Sequence, residues 1–232
     1  AQERVKTRRG ESESWISLAS PLKHLLSSRS GVHSIDDSLE NGAVNQLRWD
    51  GDHWFCAGTD GGGLVAIAKH FGFDFDAIGV ESPLLCLVGG GGSARSCASA
   101  WAAAGGSIWS IDGRRPLDKR GSWVRHLIEG DEVAENVGKR LFIDFDMAPG
   151  KPEPTHSTDA DLHLISSYNS QEIGLAVEET ESGILLDGRW LLAALHLDAW
   201  ARLYCPEAAH LLPSLGLTMT RLLAMESALR AD

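Results

Sequence analysis

Basic residues are the scarce charge in this chain. Lys and Arg number 21 against 32 Asp and Glu, which leaves a formal net charge of −11 over 232 residues. Nucleic acids and anionic membranes both select a basic face, so neither is expected as a partner, although a local basic pocket around a small anion is compatible with the balance. No apolar run reaches the ~20 residues that span a bilayer, and no signal-peptide pattern opens the chain. Cysteine is sparse: Cys56, Cys86, Cys97 and Cys205 form no C-x-x-C and no zinc spacing. Reduced, mostly buried thiols in a cytoplasmic protein without a metal site are therefore expected. No internal repeat is visible. What the chain does have is a 43% hydrophobic composition, too apolar for a disordered chain and sufficient for one large core or two small ones.

The first fourteen residues are polar and read as a helix end or a frayed terminus. Trp15 to Leu18 reads as a short strand stopped by Pro21. Residues 41–55 read as a hairpin around the Asp50-Gly51 turn. Gly61 to Gly63 open a helix over LVAIAKHF. Leu84 to Val88 is a continuous apolar run, the pattern of a strand buried on both faces of a parallel sheet. It runs directly into Gly89-Gly90-Gly91-Gly92, then an Ala-rich helix, then a strand from Ser107 to Ile111 that ends at Asp112. Further strands are expected at Leu141–Phe145 and Leu162–Ser166, with a Pro-rich surface connector, residues 148–159, between them. From Arg189 to Arg230 the chain reads as at least two helices, punctuated by Pro206 and Pro213.

Consecutive glycines between a buried strand and a helix need a cause, because each costs backbone entropy. Phosphate binding supplies one: glycine lets the main chain approach a pyrophosphate, and the helix N-terminus offers free N–H groups and the positive end of its dipole. Gly89, Gly91 and Ala94 take the three positions of G-x-G-x-x-G/A, with Gly92 and Ser93 between them, inside a β-α-β unit of about 30 residues. Asp112 lies 23 residues beyond Gly89, where a carboxylate hydrogen-bonds the adenosine ribose and favours NAD. Arg114 and Arg115 follow at once, and guanidinium groups favour the extra phosphate of NADP. The two signals oppose each other, so NADP and NAD both stay open.

Several short segments in one order resemble the shikimate dehydrogenase family over roughly residues 15–205. Ser17-Leu18-Ala19-Ser20-Pro21-Leu22-Lys23 is similar to its S-V-T-x-P-x-K, Gly42-Ala43-Val44-Asn45-Gln46-Leu47 to G-A-V-N-T-L, and Gly58-Thr59-Asp60-Gly61 to N-T-D-G. The glycine loop resembles G-A-G-G-A-A/S-R. Ala160 to Ile165 looks like A-D-L-V-I-N, and Asp187-Gly188 looks like the start of the family's C-terminal D-G-x-x-M-L helix. The resemblance implies an α/β protein. A Rossmann-type NAD(P)-binding domain would cover residues 63–186. A smaller, apparently truncated α/β substrate domain would be made from residues 1–62 and completed by helices in 187–232. It implies reversible NAD(P)-dependent reduction of 3-dehydroshikimate to shikimate, by a monomer or homodimer whose partner is a small molecule.

Carried over residue by residue, the resemblance makes Lys23 and Asp60 catalytic and Ser17, Asn45 and His196 substrate-binding. The chemistry is coherent: oxidising a secondary alcohol needs a base for its proton, the reverse needs an acid, and a carboxylate orients the ammonium. The chain also departs from the pattern. Ala19 stands in place of a hydrogen-bonding threonine, Gly58 in place of asparagine, and Ser166-Ser167-Tyr168 in place of Asn-Ala-Thr. The S-x-S-P segment expected ahead of Ser17 is missing, which suggests that the first half of the substrate domain is lacking. These departures keep two alternatives open: a quinate/shikimate dehydrogenase, and a non-catalytic relative that binds nucleotide or polyol. A methyltransferase using the same loop would fit Asp112 but would explain neither Lys23 nor Asp60.

Overall fold

The computed structural model describes residues 3–6, 12–146, 159–166, 176–181 and 183–231. Residues 148–158 of the Pro-rich connector, with Ser167 and Tyr168, lie outside them. In chain order the elements are β1 (Glu3–Lys6), β2 (Ser12–Ser17), β3 (His33–Ser34), β4 (Gln46–Trp49), β5 (Trp54–Ala57), α1 (Thr59–His70), β6 (Leu84–Val88), α2 (Gly92–Ala103), β7 (Ser107–Ile111), α3 (Asp131–Glu135), β8 (Arg140–Asp144), β9 (Leu162–Ile165), β10 (Val177–Thr180), β11 (Gly183–Leu186), α4 (Gly188–Ala199) and α5 (Leu215–Ala231). The fold is α/β, with a Rossmann-type sheet and a separate smaller β-sheet.

The larger sheet has the order β10-β11-β9-β8-β6-β7. All its pairings are parallel except β10 with β11 at one edge. The apolar run of β6 is buried at every position, and its side chains alternate between two cores. Leu85 and Leu87 join the core built with α1, α2 and α4, while Leu84, Cys86 and Val88 join Phe142 on the other face. From β6 the chain passes to β7 on one side and later to β8 on the other. That reversal leaves a crevice at the carboxyl end of β6, where open α/β sheets bind ligands.

The smaller sheet has the order β1-β2-β4-β5-β3. Residues 3–6 and 12–14, read as a helix end or frayed segment, are strand instead, because β1 pairs antiparallel with β2 and β2 with β4. Polar composition hid this, since an edge strand needs only backbone partners and no apolar face. The turn after α4 covers the sheet: Trp15 meets the Trp200 ring edge-on at 4.7 Å and stacks on Tyr204 at 5.3 Å.

α1 begins at Thr59, ahead of the glycines expected to open it, and the expected boundary between residues 62 and 63 falls inside this helix. The three glycines serve packing. A β-carbon at Gly61 would lie 2.7 Å from that of Ala100 on α2, and one at Gly63 would lie 2.7 Å from the Leu195 nitrogen on α4. Gly62 makes room for the carboxylate of Asp198. Burial pushes the Asp198 carboxyl up to about 6, opposed by Arg202 and reinforced by Asp36. The folded chain therefore holds this proton more tightly than the unfolded chain does. Its contribution to stability is present at about pH 4 and falls as pH rises through the folded value. Asp198→Asn is expected to stabilise the protein by about 1–2 kcal/mol at neutral pH and by little at about pH 4, as measured by urea unfolding at both pH values.

Candidate active site

Lys23 sits in a single helical turn, Leu22–His24, that follows β2 and Pro21. Asp60 lies in the first turn of α1, where a carboxylate is favoured by the helix dipole. The fold joins these residues, 37 apart in sequence: Lys23 Nζ donates to Asp60 Oδ2, with the lysine side chain 14% and the aspartate side chain 3% exposed. Lys23 Nζ also donates to Ser93 Oγ at 2.8 Å, at the start of α2. The ammonium thus bridges the smaller sheet, α1 and the glycine loop.

Asn45, buried at the entry to β4, holds Asp60 in place. Its Nδ2 donates to Asp60 Oδ1 at 3.0 Å and to Thr59 Oγ1 at 3.1 Å, and its Oδ1 accepts from Thr59 N at 2.7 Å. Both amide hydrogens are donated to α1, so these contacts hold the Asp60 carboxylate in place. Asn45→Ala is expected to lower turnover by about tenfold or more, because Asp60 loses a donor while buried. A steady-state comparison with wild type checks this.

His196 lies on α4, half-buried. Burial pushes its imidazole pKa down, and the nearby Asp60 charge acts the other way. An imidazole within electrostatic reach of Asp60 can donate or accept a hydrogen bond. Ser17 is exposed at the end of β2, and among the described residues its hydroxyl donates at 2.8 Å to Oε1 of Gln46, next to Asn45 in sequence, an oxygen that Tyr204 OH also reaches at 2.5 Å. Gln46 and Tyr204 carry no sequence signal, because they are 158 residues apart and no local pattern links them.

Each glycine of the loop does something different. Gly89 has φ +100°, a left-handed conformation that turns the chain out of β6. Gly90 packs against the Pro116 carbonyl, and a β-carbon there would lie 2.9 Å from Leu117 N. Gly92 admits Lys23, whose Cβ would be 3.0 Å from a β-carbon at Gly92. Gly91 alone faces open space, and as the N-cap of α2 it makes no side-chain capping bond. Ala94 is buried beneath the loop, where its small side chain lets α2 approach the sheet.

Beside the loop lies a cavity of about 350 Å³, lined among others by Gly91, Ser93, Lys23, Arg114, Arg115 and Asp146. Arg114 and Arg115 line this cavity, and Asp112, exposed, immediately follows β7. Asp146, two residues beyond β8, was not anticipated. It lies next to the glycine loop because β8, and not the segment 160–165 that resembles A-D-L-V-I-N, is the strand beside β6.

All four cysteines are free; Cys56, Cys86 and Cys97 are buried, and burial holds the Cys86 thiol up at about 12. Among the described residues no helix is long and apolar enough to cross a membrane.

No protein-family model and no curated protein matches the chain. Solved structures do. Shikimate 5-dehydrogenase from Listeria monocytogenes, in complex with shikimate and NAD, matches with a TM-score of 0.59 and 17% identity over 90% of this chain and 77% of that one. Shikimate dehydrogenase from Aquifex aeolicus gives 0.58 and 16% over 88% and 76%. Shikimate 5-dehydrogenase from Thermus thermophilus, in complex with NADP(H) and shikimate, gives 0.55 and 19% over 91% and 78%. At these identities the likeness establishes that the chain has the shikimate dehydrogenase fold.

Proposed function

We propose that this chain is an NAD(P)-dependent dehydrogenase that interconverts a ketone and a secondary alcohol on a hydroxylated ring, with 3-dehydroshikimate and shikimate as the pair. The observation that carries the proposal is the meeting of Lys23 and Asp60 beside a glycine loop at the reversal point of a parallel sheet. The residues fit a dinucleotide. Gly91 is open to an approaching pyrophosphate, α2 lacks a side-chain cap, and Arg114 and Arg115 line the same cavity. Structures of the same fold are complexes with NAD or NADP(H).

When bound, the nicotinamide supplies or takes the hydride. The chain's own residues handle the proton. In the reducing direction the Lys23 ammonium donates a proton to the ketone oxygen; in the oxidising direction neutral Lys23 accepts it from the hydroxyl. Asp60 keeps the lysine in position and accepts a hydrogen bond from a neighbouring hydroxyl, while Asn45 keeps Asp60 in position. His196 offers a further polar contact. The substrate would sit between Lys23 and α4, with the glycine loop on the cofactor side.

Two observations favour a second reading, a non-catalytic relative that binds nucleotide or polyol. Ala19 has no hydrogen-bonding group, and the Asp146 carboxylate lies in the cavity. One experiment separates the readings: shikimate and quinate are each offered with NAD and with NADP, reduced nicotinamide is followed by absorbance, and nucleotide binding is followed by fluorescence. Turnover with shikimate is the expected result. Turnover with quinate alone selects the quinate enzyme, binding of nucleotide, or of shikimate or quinate by calorimetry, without turnover selects the non-catalytic relative, and no turnover with no binding of any of these overturns both readings.

A further inference from the structure

We propose that Asp146 is a specificity-determining residue of the nucleotide cleft, one that makes the chain prefer NADH over NADPH despite its arginine pair. The inference rests on the dehydrogenase reading. It resolves the opposition between Asp112 and the arginines in favour of a third residue that the sequence patterns did not single out.

The Asp146 carboxylate is mostly shielded, 16% exposed, and stands in the same cavity as Gly91 and Ser93. Its Oδ2 accepts from the backbone N–H of Arg114 at 2.5 Å, and its Oδ1 lies 3.7 Å from Arg114 Nη2. Its own N–H donates to Asp144 Oδ1 at 2.7 Å, which fixes the backbone that carries it. A β-carbon on Gly113, in the turn after β7, would clash with Asp146 Oδ2, while one on Gly89 would lie 3.3 Å from Oδ1, so the carboxylate stands closer to the turn that an adenosine ribose would meet than to the glycine turn.

Two consequences follow from this placement. The Arg114 guanidinium, 78% exposed, already has a carboxylate beside it and so offers less to an incoming phosphate. The carboxylate is held by a backbone donor and cannot swing away at little cost. It repels every phosphate placed near it, more strongly in a cleft from which water is partly excluded. NADPH carries one phosphate more than NADH, on the ribose that the Arg114–Arg115 segment would meet, and so bears the larger penalty.

The test is the dissociation constant of NADH and of NADPH, by nicotinamide fluorescence, for wild type, Asp146→Asn and the double variant Asp146→Asn/Arg114→Gln. The asparagine retains an oxygen that can accept from Arg114 N–H. Asp146→Ser serves as a second variant where the asparagine form does not fold, and the same split is expected of it. Asp146→Asn is expected to tighten NADPH by about tenfold or more and NADH by about threefold or less. Arg114→Gln added to it should remove most of the NADPH gain and leave NADH unmoved. Wild type that binds NADPH as tightly as NADH, or that binds neither while Asp146→Asn binds NADPH, overturns the preference for NADH and leaves the dehydrogenase reading standing. Equal changes for both cofactors, or no change, in a protein that binds them overturn it and leave the dehydrogenase reading standing. No binding of either dinucleotide by wild type and both Asp146 variants overturns the two together.

Discussion

Lys23→Ala is expected to lower turnover by about a thousandfold while leaving dinucleotide affinity within about threefold. Among the described residues the lysine is the one cation in hydrogen-bond contact with Asp60, and it reaches Ser93 at the glycine loop as well. Its removal takes away the proton donor of the reducing direction. It leaves Gly91, the uncapped end of α2 and the arginines as they are, which is why binding should survive. Asp60 keeps the Asn45 amide as a donor at 3.0 Å and the favourable end of α1, so the fold should tolerate the change. Thermal unfolding and nucleotide fluorescence on the same preparation separate lost chemistry from lost structure. Turnover close to wild type in a folded Lys23→Ala protein would sink the assignment of Lys23 as the proton-transfer residue.

Gly63→Ala should produce a large loss of stability for the addition of one methyl group. A methyl group there would sit 2.7 Å from Leu195 N, 2.9 Å from Leu195 Cα and 3.1 Å from Ala194 C, all backbone of α4. Backbone cannot rotate out of the way as a side chain can, so α4 must move as a body. The helix-propensity gain of about 1 kcal/mol from Gly to Ala offsets only part of the strain, and a net loss of about 2 kcal/mol is expected in urea unfolding. His196 follows Leu195 directly, so turnover should fall in parallel. Gly91→Ala is the matching control. Its φ of −72° suits alanine and its β-carbon would meet nothing within 4 Å. Stability should hold within about 0.5 kcal/mol, while dinucleotide binding weakens. Equal destabilisation by the two substitutions would contradict the packing roles assigned to these glycines.

Other features differ in how far local sequence reached. β10 and β11 were not anticipated because the edge segment Val-Glu-Glu-Thr has no apolar alternation; its pairing partner makes it a strand. The start of α4 was legible through Asp187, which caps the helix by accepting from Arg189 N at 2.9 Å. The glycine loop was legible as a loop, but the division of labour within it was not. Gly90 and Gly92 answer to Pro116 and Lys23, and only the folded chain brings those groups near.

The sequence by itself determined the central strand, the turn that leaves it and the helix beyond, because burial on two faces and a glycine at positive φ write themselves into consecutive residues. It also contained the short segments through which Lys23 and Asp60 were matched to a family, without any physical sign that the two would touch. Tertiary structure alone decided that contact, the hydrogen bond from Asn45 to Asp60, and the presence of Asp146 beside the glycine loop. Each depends on which strands become neighbours. Strand order is set by competition among whole apolar faces for one core, and no short window of residues records its outcome.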